Sequence, residues 1–231
     1  MLHPTLMAAS LPLLVVTTCV QPSWAAPTVT AANRATSASE VNIAAIAEIN
    51  GSPSDQFDRQ LAQTFLARTS GVLQSIAVTA GARAGAAQTD GLGLRMAIAP
   101  FNAENRLLGE ILSISPVDNV EPLPGFGGPF SQPDVLQASA NFESSGIVLH
   151  AGSSYAMIFS AERLDDSFFI LGGDLPDYEG GLIGGRLNDQ PFQFQPITDL
   201  FFEVTVDAVP EPASLAIVLA TLPFAFTRHR K

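Results

Sequence analysis

Cysteine, tryptophan and histidine are scarce in this sequence, and their positions exclude several chemistries. Of 231 residues, one is Cys, one is Trp and three are His. Cys19 and Trp24 both lie near the N-terminus, so the remaining chain offers no disulfide, thiolate nucleophile or thiolate metal site. A Ser–His hydrolase would have to use His150, but no G-x-S-x-G element lies near it. We therefore expect His150 to be a structural residue at the end of a strand.

Basic residues are also few. The chain has 11 Lys and Arg against 22 Asp and Glu, which gives a formal net charge of −11. Affinity for nucleic acid depends on basic groups that release counterions from phosphates, so no nucleic-acid partner is expected. Hydrophobic residues make up 47% of the chain and include 15 Phe, which predicts a folded core rather than disorder.

The N-terminus has the pattern of a secretory signal. Residues 6–20 are an apolar run of the right length, and Ser23-Trp24-Ala25 follows as a small-x-small cleavage pattern. We predict that residues 1–25 are a signal peptide. The alternative is a short buried helix, because no Lys or Arg precedes the apolar run. The residues before Cys19 lack the pattern required for lipoprotein processing, so no lipid anchor is expected.

Three blocks follow one another at the C-terminus. They are Pro210-Glu211-Pro212, an apolar segment at 213–226, and the basic residues Arg228, Arg230 and Lys231. As a helix the apolar segment would span about 21 Å, less than the roughly 30 Å hydrocarbon core of a bilayer. The basic end fits the cytoplasmic side of a membrane if the body lies outside. A plain tail anchor preceded by an extended linker is the alternative.

This order of blocks resembles the PEP-CTERM sorting signal of Gram-negative bacteria that secrete exopolysaccharide. The resemblance implies that an exosortase, a membrane cysteine protease, recognises Pro210-Glu211-Pro212 and processes the chain nearby. It makes 213–226 a short transmembrane sorting helix and Arg228, Arg230 and Lys231 the stop cluster. The chain would then use the export machinery, be anchored transiently in the inner membrane, and reach the cell surface or extracellular matrix.

The body of the chain predicts an all-β sandwich. Residues 26–40 are rich in Ala, Ser and Thr and predict a flexible leader, and 41–49 are ambiguous between strand and short helix. From residue 61 onward, short β-rich runs alternate with Gly, Pro, Asn and Asp. Long loops are predicted at 82–91 and 115–134. The predicted strands are 61–67, 71–80, 92–100, 107–114, 135–142, 146–151, 153–161, 168–173, 180–186 and 199–208.

The predicted domains are a signal peptide at 1–25, a leader or linker at 26–59, a β-sandwich at 60–207 and a sorting signal at 208–231.

Five short sequence patterns follow one another along this body. They are Gln63-Thr64-Phe65, the run from Ser70 to Ile76, the run from Leu149 to Ala156, Tyr178-Glu179-Gly180-Gly181 and Asp199-Leu200-Phe201-Phe202. Their order resembles a jelly-roll domain of surface-anchored bacterial proteins with such tails, although the Trp that usually accompanies the pattern is missing. The resemblance implies an adhesive or carbohydrate-facing module and carries over no ligand residues. We expect Gly152 in a turn, and we expect core packing or strand-edge positions for Phe65, Ile76, Tyr155 and Phe201.

Carboxylates concentrate in one part of the body. Oxygen ligands from a loop suit Ca²⁺, but no D-x-D-x-D-G spacing is present, and a hydrated acidic rim is the expected arrangement. Glycoside hydrolysis would need two of these carboxylates about 5 to 10 Å apart, a distance that the sequence does not fix. We therefore assign no catalytic residue, metal ligand or cofactor. The residues of this acidic group are Glu162, Asp165, Asp166, Asp174, Asp177 and Glu179.

Three aromatic residues fall in predicted loops: Phe126, Phe130 and Tyr178. An aromatic side chain in a loop either packs or binds something, and packing is the expected role. Asp174, Asp177 and Tyr178 remain the candidate ligand-facing residues.

These observations together predict a non-enzymatic, exported protein of the cell surface or extracellular matrix. Its role would be structural, adhesive or polysaccharide-associated, with exopolysaccharide as a candidate partner. Two alternatives stay open: a carboxylate-dependent surface polysaccharide hydrolase, and a calcium- or glycan-binding module.

Overall fold

A computed structural model describes most of the body of the chain. The described residues are 26–34, 47–52, 57–82, 93–123, 135–162, 167–173, 178–179 and 181–208. The predicted signal peptide at 1–25 and residues 209–231 of the predicted sorting signal lie outside these ranges. Within them the regular structure is β-strand apart from one 3-10 turn at Glu143–Ser145, which confirms the all-β prediction. No helix of the described part is long and apolar enough to cross a membrane.

Fifteen strands make up the described structure. In chain order they are β1 (Thr28–Asn33), β2 (Ala47–Ser52), β3 (Phe57–Leu66), β4 (Gly71–Ala82), β5 (Leu94–Asn102), β6 (Leu107–Leu108), β7 (Ser113–Pro116), β8 (Asn119–Pro122), β9 (Val135–Asn141), β10 (Val148–Leu149), β11 (Ser154–Ala161), β12 (Ser167–Ile170), β13 (Ile183–Leu187), β14 (Gln193–Gln195) and β15 (Phe202–Ala208). Every pairing between them is antiparallel.

The strands form two sheets that pack against each other in a sandwich-like arrangement. The first sheet is centred on β4, with β15 and then β1 on one side and β9 and then β8 on the other. Strands β12 and β10 pair with the two ends of β4, and β2 pairs with β12. The second sheet has the order β14-β13-β3-β11-β5, with β6 and β7 along the outer side of β5. Strand β2 also pairs with β3, so the sheets meet at this corner.

The core between the sheets follows from the two-residue period of the strands. Alternate residues of a strand point to opposite faces, so one apolar set per strand is buried. In β4, β5, β11 and β15 these sets are among the most buried side chains of the protein. They include Ile76, Val78, Leu94, Met96, Ile98, Met157, Phe159, Val204 and Val206. The residues expected in the core or at strand edges are all buried in the structure: Phe65, Ile76, Tyr155 and Phe201.

A second apolar layer lies on the outer face of the second sheet. Small residues of β3, β5 and β11 line this face, and the rings of Phe101 and Phe194 cover them. The covered residues include Ala62, Ala97, Ala99, Ala156 and Ile158, all at most 6% exposed. Both faces of the second sheet are therefore partly buried.

The prediction of a flexible leader at 26–40 is wrong for residues 28–33. These residues form β1, which pairs with β15 from Thr28↔Val206 to Asn33↔Phe202. A β-bulge at Thr30 turns its hydroxyl to the loop between β3 and β4, where it accepts hydrogen bonds from the N–H groups of Arg68 (3.1 Å) and Thr69 (2.9 Å). The sandwich therefore begins well before residue 60.

Two other boundaries differ from the prediction. The loop predicted at 115–134 contains the end of β7 and all of β8, because residues 119–122 pair with β9. The single strand predicted at 107–114 is divided into β6 and β7, which pair with successive parts of β5. The ambiguous segment at 41–49 contributes residues 47–49 to β2.

Candidate functional site

Three of the five short patterns that resembled a jelly-roll domain meet at a buried hydrogen-bonded cluster. Gln63 and Asp199 are fully buried, and the Gln63 side-chain amide donates to the Asp199 carboxylate at 2.9 Å. The other carboxylate oxygen of Asp199 accepts from the backbone N–H of Tyr178 at 2.9 Å. The Gln63 carbonyl oxygen accepts from the N–H of Leu200 at 3.0 Å. This cluster therefore fixes two loops to β3.

Tyr178 does not face a ligand, which corrects one expectation from the sequence. Its side chain is only 7% exposed and lies edge-on against Phe202, with 5.2 Å between ring centroids. Its hydroxyl donates to the carbonyl of Leu66 at 3.1 Å and accepts from the N–H of the same residue. Burial raises the pKa of the Tyr178 hydroxyl, with a smaller opposing effect from the bond to Leu66. Tyr178 therefore has the packing role that is expected of an aromatic residue in a loop.

A second tyrosine fixes the turn before β11. The Tyr155 hydroxyl accepts from the N–H of His150 at 3.0 Å, and Ser70 accepts from the N–H of Ala151 at 2.9 Å. Gly152 has φ +80° and lies in the expected turn. His150 directly follows β10, so its expected position at a strand end is confirmed.

The acidic group is only partly described. Glu162 and Glu179 are exposed. The candidates Asp174 and Asp177 lie outside the described residues, as do Asp165, Asp166, Phe126 and Phe130. Among the residues that the structure does describe, no three His, Cys, Asp or Glu side chains lie close enough together to hold a metal ion.

The candidate functional site is a groove of about 280 Å³ on the outer face of the first sheet. The sheet register explains how separate strands build it. Gln137 of β9 is opposite Thr79 of β4, and Ser139 is opposite Ala77, which is in turn opposite Glu203 of β15. Their neighbours along each strand point into the core, so these side chains point outward. The groove is lined by Asn33, Arg34, Ala77, Val78, Thr79, Leu123, Gln137, Phe201, Phe202 and Glu203.

One ion pair carries the charge of this groove. The Nε atom of Arg34 donates to the Glu203 carboxylate at 2.7 Å, and its Nη2 atom also contacts that carboxylate. The Arg34 side chain is 61% exposed and that of Glu203 is 23% exposed, so the pair contributes little stability. It does neutralise the one carboxylate among the lining residues. The other polar lining groups are an Asn, a Thr and a Gln.

Such a groove can exchange hydrogen bonds with neutral hydroxyl groups. Amides and hydroxyls both donate and accept, and the side chains of Asn33 and Gln137 in the lining are half-buried rather than buried. No sequence pattern marks Thr79, Gln137 or Glu203, because each is a single polar residue on an ordinary alternating strand. Only the register across three strands, β4, β9 and β15, brings them together.

Comparisons with protein-family models and with curated proteins found no match to this chain.

Proposed function

We propose that this is an exported β-sandwich protein of the cell surface or extracellular matrix, where it is a structural or adhesive module that associates with polysaccharide. In this proposal the sandwich is jelly-roll-like, and the PEP-CTERM-like tail sorts the chain through an exosortase. The polar groove on the first sheet is the polysaccharide-contacting surface.

The groove is the observation that carries the proposal for the body. It is open and lined by neutral hydrogen-bonding side chains, by the Arg34–Glu203 ion pair and by apolar side chains, which suits the mixed polar and apolar faces of sugar rings. The buried cluster around Asp199 holds the adjoining loop backbone rigidly, since Leu200 precedes the lining residues Phe201 and Phe202. A rigid site binds with a smaller entropic cost than a mobile one.

The strand limits agree with processing at both ends. The first strand begins at Thr28 and the last ends at Ala208. Cleavage after Ala25 and near Pro212 would therefore leave every described strand intact. The order of the three C-terminal blocks supports sorting over a plain anchor.

The described carboxylates favour binding over hydrolysis. Glu203 lies in the groove but is paired with Arg34. The next carboxylate across the sheet is Glu121 of β8, which is three strands away from β15. Three inter-strand steps and a two-residue offset along the strands place the two Cα atoms more than about 14 Å apart, so these carboxylates are not cross-strand neighbours.

Affinity electrophoresis through gels that contain neutral or acidic polysaccharides tests the proposal. We expect retention by at least one polysaccharide, and we expect the double variant Thr79→Val with Gln137→Leu to lose most of it. The matched control is Thr28→Val with Gln74→Leu, which changes the same residue types outside the groove lining. Thermal unfolding of both variants separates a binding defect from a folding defect.

Three results would overturn parts of the proposal. Retention that is equal in the groove variant and the control would exclude the groove as the site. Release of reducing ends that Glu203→Gln abolishes would favour the hydrolase. No retention by any polysaccharide, with the fold intact, would remove the polysaccharide association.

A further inference from the structure

The outer face of the second sheet carries an aromatic stack that ends in an arginine. The rings of Phe101 and Phe194 lie 4.8 Å apart, and those of Phe194 and Phe192 lie 5.8 Å apart. The guanidinium carbon of Arg186 lies 4.8 Å from the centre of the Phe192 ring. Phe101 and Phe194 are buried, whereas Phe192 and Arg186 are half-buried. The stack therefore runs from buried rings to a cation at the surface.

Glycine at position 184 allows this stack to form. Gly184 is opposite Phe194 in the β13–β14 pair, and a Cβ atom at 184 would lie 2.6 Å from two atoms of the Phe194 ring. Real Cβ atoms do not approach that closely, so a side chain there would displace the ring. The absence of a side chain at 184 thus sets the position of Phe194, and through it that of Phe192.

Arg186 is held in one orientation but has donors left. Its Nε and Nη2 atoms both donate to the side-chain oxygen of Gln60, at 3.0 and 2.7 Å. These two bonds use one edge of the guanidinium, and three of its five N–H groups remain, including the fork between Nη1 and Nη2. No carboxylate of the described chain pairs with Arg186. A fixed guanidinium with an open fork is suited to bind a carboxylate through two parallel hydrogen bonds.

Arg106 reinforces the positive charge beside the stack. It is exposed, it donates to the carbonyl of Phe194 at 3.3 Å, and it too has no carboxylate partner within the described ranges. Its φ of +56° is rare for a residue with a side chain. Glu104 and Asp189 lie in the two neighbouring turns but form no ion pair with either arginine. Within the described residues neither arginine forms an ion pair, so both charges on this face are available to an anionic ligand.

Two exposed amides lie in the turn between the strands that carry this stack. Asn188 and Gln190 are exposed in the turn after β13, whereas Gln193 and Gln195 of β14 alternate with Phe194 and point to the other side of the strand. Amide groups that both donate and accept are complementary to sugar hydroxyls. We propose that this face binds an acidic polysaccharide, with a sugar carboxylate held by the guanidinium fork of Arg186 and neighbouring hydroxyls held by the amides. This site lies on the second sheet rather than in the groove of the first, so it goes beyond the proposed function by assigning a second surface and the class of polysaccharide that it binds.

Polygalacturonate and its methyl ester test this site, because they share a backbone and differ in the carboxylate. We expect the folded protein to be retained by polygalacturonate and at least about tenfold more weakly by the ester. Arg186→Gln should weaken polygalacturonate binding about tenfold or more. The control variant Arg68→Gln should change polygalacturonate binding less than about twofold. It removes the same charge as Arg186→Gln, but from an exposed arginine in a distant loop.

Four results would overturn the site. They are equal binding of acid and ester, equal losses in Arg186→Gln and Arg68→Gln, equal retention by polyglutamate, and loss in the groove variant but not in Arg186→Gln. The last result would leave the proposed function standing. Loss of neutral-polysaccharide retention in the groove variant, with Arg186→Gln defective only for polygalacturonate, is the expected result, because the two sites lie on different sheets.

Discussion

At the residue scale, the buried carboxylate of Asp199 depends on a matching donor. Gln63 supplies it, because its amide N–H groups face Asp199 and the carbonyl of Thr64 while its oxygen faces the N–H of Leu200. Neither a carboxylate nor an apolar side chain at 63 could satisfy all three partners. The geometry therefore requires a Gln at this position.

Gln63→Glu should destabilise the protein by about 2 to 4 kcal/mol at neutral pH, because it replaces a buried donor with a second carboxylate. The loss should shrink toward acid pH, where a protonated Glu can again donate. Urea unfolding at several pH values measures it. Gln74→Glu, on a half-buried Gln of β4, is the control. A loss in Gln63→Glu that matches the control would contradict this role.

Two neighbouring glycines of β13 should respond differently to substitution by alanine. Gly184→Ala should destabilise by about 1 to 3 kcal/mol, since the new methyl group meets the buried Phe194 ring. Gly185→Ala should be tolerated, because the nearest heavy atom to a Cβ there is 3.9 Å away. Thermal unfolding of the two variants measures this difference in stability. Equal stabilities would show that Phe194 does not lie against position 184.

At the element scale, β1 shows why part of the fold cannot be predicted from the sequence. Its sequence, TVTAAN, has one large apolar residue and no alternating apolar face of its own. It becomes a strand because β15 offers a paired edge and Thr30 satisfies the β3–β4 loop. Strands with strong β-branched or aromatic content, such as β4, β9 and β11, begin within one residue of their predicted starts. Strand β14 was missed because its sequence is only QFQ.

Thr30→Val should therefore destabilise the protein by about 1 to 2 kcal/mol, because the N–H of Thr69 loses its buried acceptor. Amide hydrogen exchange should rise locally at residues 68–70. Thr28→Val is the matched control on the same strand, where the hydroxyl is exposed. Unchanged exchange at 68–70 in Thr30→Val would count against β1 as an integral strand.

The residues of the candidate site could not be predicted from the sequence for a related reason. The predicted ligand-facing Tyr178 is a structural residue, whereas Thr79 and Gln137 line the groove. Local pattern cannot separate these cases, because a tyrosine in a loop and a threonine on a strand have no ligand signature. Pairing between residues that are far apart in sequence decides which polar groups share a surface.

At the scale of the whole molecule, stability should fall in alkali through Tyr178. Its pKa is raised above its ordinary value of 10.0. The unfolded chain therefore loses this proton first, and the stability contribution is present below pH about 10 and lost as the pH rises through the folded pKa.

Tyr178→Phe should be less stable than the natural chain at about pH 8, by about 1 kcal/mol, because the bond to Leu66 is lost. The difference should narrow above about pH 10, since Phe does not titrate. Urea unfolding at about pH 8 and about pH 11 checks this. A constant difference would contradict the assignment.

The proposed route of the whole chain is tested most directly by its mass. The measurement is the intact mass and C-terminal peptide of the protein from its own host, after separation of membrane, outer-surface and medium fractions. We predict a chain that begins near Ala26, ends near Pro212 and lies outside the inner membrane. A chain in the inner membrane that still carries Arg228 to Lys231 would contradict sorting and leave a tail-anchored sandwich in its place.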